Sequence, residues 1–276
     1  MKTKYTLAGA IAAAVLVTVG FVACKEEAKA PPPPPAAAAP SPAAPAAAAP
    51  AAAAPAAAAP AAGSGAGMGS IEGSVLFTGT APTMKPLATA ADPKCPKGVN
   101  DESVIVKGGK LGNVWVHATK GGSAAAAVAA PITVTQHGCM YRPRLQGIAV
   151  GQKIVIKNDD DTLHNVHTFL GSSTAFNKAM PGKAAPAIEY VPTEEGMIKW
   201  KCDVHPWMRG FVGVAKTSVQ GTSGDSGEFK IDNVPPGTYT LEAWHEKFGA
   251  KTADVTVEAG KPAKIEFKYD GTEKGS

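Results

Sequence analysis

The chain has 276 residues, 45% of them hydrophobic and 6% aromatic, with a formal charge of +4. Residues 31–62 are almost wholly proline and alanine and cannot build a mixed core, which leaves about 200 residues to fold as one large or two small domains. The positive charge is weak and scattered, and falls by two if Lys2 and Lys4 leave with a leader, so nucleic acid is not an expected partner.

Lys2 and Lys4 precede an apolar run over residues 7–23, which stops at Cys24 and is followed by Lys25, Glu26 and Glu27. The run Phe21, Val22, Ala23, Cys24 resembles a bacterial lipobox, which implies a signal peptide over 1–23 and acylation of Cys24. Acyl chains would hold the protein to a bilayer. Lys25 after the cysteine resembles outer-membrane sorting, so the expected location is the bacterial envelope, lipid-anchored, facing the periplasm or the cell surface. Residues 24–69 then read as anchor and linker. Proline interrupts any helix there, and the stretch reads as a disordered tether.

Beyond residue 69 the chain alternates short Val/Ile/Thr/Tyr runs with Gly, Pro, Asn and Asp, the pattern of an all-β fold. Residues 71–78 read as a strand, and 82–96 as a proline-rich loop containing Cys95. Residues 104–106 and 113–117 read as strands about a turn, and 121–130 as a loose connection. Strands resume at 131–135 and 151–158, the latter ending in the acidic turn Asp159, Asp160, Asp161. Residues 188–191, 198–201 and 211–215 continue the series.

The last two of these runs flank Cys202, His205 and Met208, and a further histidine, His164, begins the stretch after the acidic turn. One thiolate, two imidazoles and a weak thioether are the donors of a mononuclear blue copper site. Strands on both sides of the loop would preorganise it. His164 and His167 are three apart, so on a strand they face opposite sides and only one can serve as ligand. His117, His137 and His245 show no ligand spacing and read as ordinary surface or core histidines.

Residues 158–215 resemble the C-terminal half of a cupredoxin of the amicyanin or plastocyanin type. The matching residues are His164, Asn165, Val166 and His167, the run 193–196, and Cys202-x2-His205-x2-Met208 with Arg209 and Gly210. Residues 131–157 fit the earlier strands. The resemblance implies a Greek-key β-sandwich over 131–217 holding one type 1 copper on His164, Cys202, His205 and Met208. It also implies that Asn165 ties the two ligand loops together. The usual Ser or Thr partner of that asparagine is replaced by Asp203, which leaves their hydrogen bond open. In the family the edge of the second histidine is exposed within an apolar patch. Here Pro206, Trp207 and Phe169 would form it, with burial of Trp207 as the alternative.

With Cys24 acylated, Cys95, Cys139 and Cys202 remain, an odd number for an oxidising compartment. Pairing Cys95 with Cys139 leaves Cys202 free as thiolate, although counting does not fix the pairing.

In residues 218–276, the spacing Gly227, Phe229, Ile231, Asn233, Val234, Pro235, Pro236, Gly237, Tyr239 resembles a carboxypeptidase regulatory-like β-sandwich. That segment is short for a whole sandwich. Residues 70–130 could complete it, making the copper domain an insertion, or could belong to the copper domain itself. Glu242, His245 and Glu246 read as a solvated loop. The leading expectation is a non-enzymatic one-electron carrier with redox partners such as a c-type cytochrome or an oxidoreductase. A copper-handling lipoprotein without redox turnover and a structural surface β-protein are the alternatives.

Overall fold

The computed structural model describes residues 67–121 and 129–275, so the expected leader, Cys24 and the proline/alanine stretch lie outside the described residues. All described residues belong to one unit of the chain, Ala58–Ser276. Among them no helix is long and apolar enough to cross a membrane, and the architecture is all-β.

The first stretch supplies β1 (Gly69–Phe77), β2 (Val106–Lys107), β3 (Lys110–Leu111) and β4 (Trp115–Lys120). The middle supplies β5 (Ile132–Gln136), β6 (Tyr141–Arg142), β7 (Leu145–Ala149), β8 (Ile154–Asn158), β9 (His164–Leu170), β10 (Ser173–Met180), β11 (Ile188–Tyr190), β12 (Gly196–Lys201) and β13 (Arg209–Ala215). The last stretch supplies β14 (Gln220–Thr222), β15 (Glu228–Val234), β16 (Gly237–His245), β17 (Gly249–Val257) and β18 (Pro262–Tyr269).

The middle strands make two sheets, ordered β10-β9-β12-β13-β7 and β11-β8-β5-β6. Their inner faces share one core, in which Val134, Ile154 and Ile156 meet Val166, Ile198 and Val212. The two-residue period explains the strands: in β12, Ile198 and Trp200 point inward while Lys199 and Lys201 face out. The β13–β7 and β5–β8 pairs are parallel, and the remaining pairs of this sandwich are antiparallel.

Strands from the two ends of the chain form a second sandwich. β1 lies between β15, antiparallel, and β18, parallel, while β4 lies between β14 and β16. Residues 70–120 therefore pair with the C-terminal strands, and the middle sandwich is inserted between β4 and β14. Its companion has its own core of Ile71, Val75, Phe229, Leu241, Phe267 and their neighbours.

Tight contacts join the two sandwiches. Gly147 and Gly213 sit opposite one another in the β7–β13 ladder, and the Trp115 ring rests on both. A Cβ at Gly213 would come within 2.2 Å of that ring, and one at Gly147 within 2.6 Å of the indole nitrogen. Glycine is required there by close approach, not by backbone conformation. Trp115 Nε1 donates to Gln220 Oε1 at 3.0 Å, and Trp244 packs at 5.4 Å from Phe211. Arg144 meets Glu246 through two hydrogen bonds, Nε–Oε1 at 2.6 Å and Nη2–Oε2 at 3.0 Å. Glu246 is thus no part of a solvated loop, and His245, at the end of β16, is fully buried. The apolar residues between them in the chain turn inward with β16, which the short spacing of Glu242, His245 and Glu246 does not reveal.

Candidate metal centre

The centre forms where two loops of the inserted sandwich converge. Asn158 shapes the first: its Nδ2 donates to the Thr162 and Met180 carbonyls, and its Oδ1 accepts from the Asp160 N–H, each at 2.9 Å. That turn delivers His164 to the start of β9. The second loop runs from β12 to β13 and closes on itself, Cys202 N donating to Met208 O at 3.2 Å and Met208 N to His205 O at 2.9 Å. Cys202, His205 and Met208 are thereby fixed on one short arc.

The two loops are stitched together. Asp203 N donates to Asn165 Oδ1 at 2.6 Å, and Asn165 Nδ2 donates to Asp203 Oδ2 at 2.9 Å. The aspartate therefore makes the bond left open by the sequence, and makes it in both directions. Tyr141, buried beneath, places its hydroxyl 3.0 Å from the Asn165 carbonyl and 3.2 Å from that of Lys201.

His164, Cys202, His205 and Met208 are each at most 2% exposed. His164 Nδ1 and His205 Nδ1 are 2.9 Å apart, and Cys202 Sγ lies 3.9 Å and 3.7 Å from them. Each histidine turns its other nitrogen to a carboxylate: His164 Nε2 to Asp160 Oδ2 at 3.0 Å, His205 Nε2 to Asp92 Oδ2 at 3.1 Å. An ionised carboxylate can only accept, so each Nε2 carries the hydrogen and each Nδ1 lone pair faces the other ring and the sulfur.

Two lone pairs at 2.9 Å repel unless a cation lies between them. A proton or a metal ion satisfies that requirement. The three donor atoms lie close enough together that one ion between them would reach all three. Two imidazoles and one thiolate, with a methionine on the same loop, are donor types that a copper ion takes. The residues present fit that ion.

Burial and close contacts shift the protonation equilibria of these groups in different directions. Burial pushes the Cys202 thiol up, but the hydrogen bond with His164 and the N–H groups of Asn165, His205 and Val204 outweigh it and hold the thiol below its ordinary value. Burial pulls the His164 ring down, yet Asp160 and Cys202 leave it above its ordinary value. For His205 burial prevails over the Asp92 bond, and the ring stays low. The Thr162 hydroxyl and the Lys94 N–H bring Asp92 down to about 2, against the smaller opposing effect of burial.

Cys95 and Cys139 form a disulfide and Cys202 is free. The bridge ties the 89–95 segment to the centre, where both sulfurs lie within 4.8 Å of a His205 ring nitrogen. One expectation is corrected. The edge of His205 is not exposed: the ring is 2% accessible and Asp92 covers its outer nitrogen. Pro206 is exposed, but Trp207 is half-buried, its ring 5.1 Å from His205 and its Nε1 donating to Cys139 O at 3.1 Å. These residues therefore flank a covered imidazole. His167 faces away from the centre and bonds Asp203 at 3.0 Å. His117 and His245 lie in or against the companion sandwich.

Sequence reasoning missed Asp92, Asp160 and Tyr141. Asp160 left a signal, an acid four residues before a histidine at a strand start. Asp92 left only its closeness to Cys95, and Tyr141 only its closeness to Cys139.

A family model, the carboxypeptidase regulatory-like domain, matches residues 212–269. No curated protein matches the chain. Among solved structures, a purple cupredoxin from Nitrosopumilus maritimus is 29% identical over 32% of this chain and 100% of its own, with a TM-score of 0.27. Amicyanin from Paracoccus versutus is 25% identical over 36% of this chain and 97% of its own, with a TM-score of 0.29. Both likenesses are confined to about a third of the chain.

Proposed function

We propose that the inserted sandwich holds one type 1 copper on His164, Cys202 and His205, with Met208 as a weak fourth donor, and that the protein carries single electrons without being an enzyme. The observation behind this reading is the buried triangle of two Nδ1 atoms and one Sγ, with sides of 2.9, 3.7 and 3.9 Å. Copper bound there would supply a one-electron couple. Asp160 and Asp92 fix the tautomer of each ring and aim its Nδ1 inward. Asn165 and Asp203 hold the two loops in register, so little rearrangement accompanies a change of charge. Burial of all four donors keeps water from the centre.

The partners in this reading are redox proteins such as a c-type cytochrome or an oxidoreductase. Acylation of Cys24 would anchor the protein in the bacterial envelope, facing the periplasm or cell surface and most simply in the outer membrane, with the proline/alanine stretch as its tether. Cys24 and that stretch lie outside the described residues, and this part of the reading rests on the lipobox-like run alone.

The visible and EPR spectra of the chain titrated with cupric salt test the reading. An intense thiolate-to-copper band with a narrow hyperfine splitting is expected at one equivalent. A colourless protein whose Cys202 stays open to alkylation overturns it. The covered edge of His205 favours a second reading, metal holding without turnover. Voltammetry separates the two: a reversible one-electron couple supports the carrier, and exchangeable cuprous ion with no stable cupric form supports holding.

A further inference from the structure

We propose that electrons enter and leave through the outer face of β9, β12 and β13, and that the redox partner docking there presents acidic groups. This rests on the copper reading above. The imidazole edge of His205 is closed to a partner. Asp92 lies on its Nε2 at 3.1 Å, is itself bonded by the Thr162 hydroxyl at 2.6 Å, and belongs to a segment stapled by Cys95–Cys139. Lys94 Nζ adds a bond to the Asp161 carbonyl at 2.6 Å.

The sheet face offers what that edge does not. Phe169, Lys199, Trp200, Lys201, Arg209 and Phe211 line a groove of about 290 Å³. No carboxylate lines it. Lys201 is bonded directly to Cys202, and Trp200 precedes it, so the strand under the groove runs straight into the sulfur ligand. Lys201 lies over the Phe169 ring at 5.4 Å and pairs with Asp203 at 3.0 Å, which offsets its charge. Lys199 and Arg209 are exposed and have no ion-pair partner among the described residues. The half-buried Phe169 ring beside the two unpaired cations Lys199 and Arg209 fits a partner whose contact surface carries carboxylates, because such charge complementarity speeds encounter and fixes orientation. One electron passes per encounter, the partner being reduced by one as this site is oxidised by one, or the reverse, with no bond made or broken.

The test uses the full chain, copper-loaded and reduced, mixed in stopped flow with anionic hexacyanoferrate(III) or cationic tris(phenanthroline)cobalt(III). The charge-reversed variant Lys199→Glu/Arg209→Glu should react about tenfold or more slowly with the anion at low ionic strength, and faster with the cation, both differences shrinking as salt rises. A control reversal on the companion sandwich, Lys264→Glu/Lys268→Glu, should leave both rates within about twofold. Unchanged rates in the first variant, or equal changes in both variants, overturn the proposal. If no type 1 spectrum appears, the copper reading fails separately. Paramagnetic, redox-inert hexacyanochromate(III) then still tests the groove on the metal-free chain. Amide broadening centred on Phe169, Lys199, Lys201 and Arg209 supports an anion-recognising face; broadening elsewhere, or none, overturns it.

Discussion

His205 and Asp92 stand 113 residues apart in the chain and meet at 3.1 Å, the ring Nε2 against a carboxylate oxygen. A carboxylate on the far nitrogen makes an imidazole a stronger donor and fixes its direction. Replacing Asp92 with Asn keeps an acceptor for the Lys94 N–H but removes the negative charge. Copper affinity should fall by about 10–100-fold, and the reduction potential should rise because the cupric state loses more than the cuprous one. Chelator competition and voltammetry measure both. If neither moves, Asp92 is only a cover.

Removing the thiol separates metal binding from folding. The ligand loop is closed by Cys202 N to Met208 O and by Asp203 N to Asn165 Oδ1, none of which uses the sulfur. Cys202→Ser should therefore abolish the visible band while the metal-free protein keeps its thermal midpoint within a few degrees, a change of about 1 kcal/mol or less. Absorption and calorimetry of the metal-free and metal-loaded forms check this. A large loss of midpoint in the metal-free variant would give Cys202 a packing role instead.

A buried histidine in the companion sandwich sets an acid limit. Burial, with smaller contributions from Arg144 and Lys247, lowers the His245 ring from 6.5 to about 3. The unfolded chain takes up a proton near pH 6.5 that the folded chain refuses until about 3. Its contribution is therefore fully present above pH 6.5 and is lost as pH falls from there toward 3, by up to about 1.4 kcal/mol per pH unit. His117, brought down to about 4 mainly by burial, acts in the same direction. Urea midpoints measured from pH 7.5 to 4 should drop steeply for the native chain and less steeply for His245→Gln. Parallel slopes would rule this histidine out as a source of acid sensitivity.

The Arg144–Glu246 pair, with side chains 5% and 8% exposed, bonds one sandwich to the other. Arg144→Met strands a buried carboxylate and should cost about 3–5 kcal/mol. Arg144→Met/Glu246→Met should recover most of that, since two apolar groups leave no charge unpaired. Denaturant unfolding of the single and double variants is the measurement, and a double variant as weak as the single would mean that geometry, not charge, dominates.

The all-β class was legible because alternation such as that of Ile154–Asn158 is written residue by residue. His164, Cys202 and His205, which the structure brings together, were legible because three of the four donors lie on one loop with a characteristic spacing. Alternation fixes which face a residue takes, not which strand lies beside it. For that reason the pattern of residues 71–78 fits two layouts, and the pairing of β1 with β15 and β18 decides between them. Asp92 was illegible on similar grounds. It sits in a proline-rich loop without periodicity, and a disulfide three residues on, at Cys95, together with the Thr162 hydroxyl, holds it against His205. The covering of His205 follows from that loop and not from the ligand motif.

His117 on β4 and Gln220 on β14 are direct partners across the ladder. The exit and the re-entry of the inserted sandwich are therefore neighbours, and the hundred or so residues between them form a detachable cassette. Joining Lys120 to Gln220 by a short turn should yield the companion sandwich as a stand-alone domain, its bared Trp115 made polar. A different metal module whose own ends lie equally close should be graftable at the same seam.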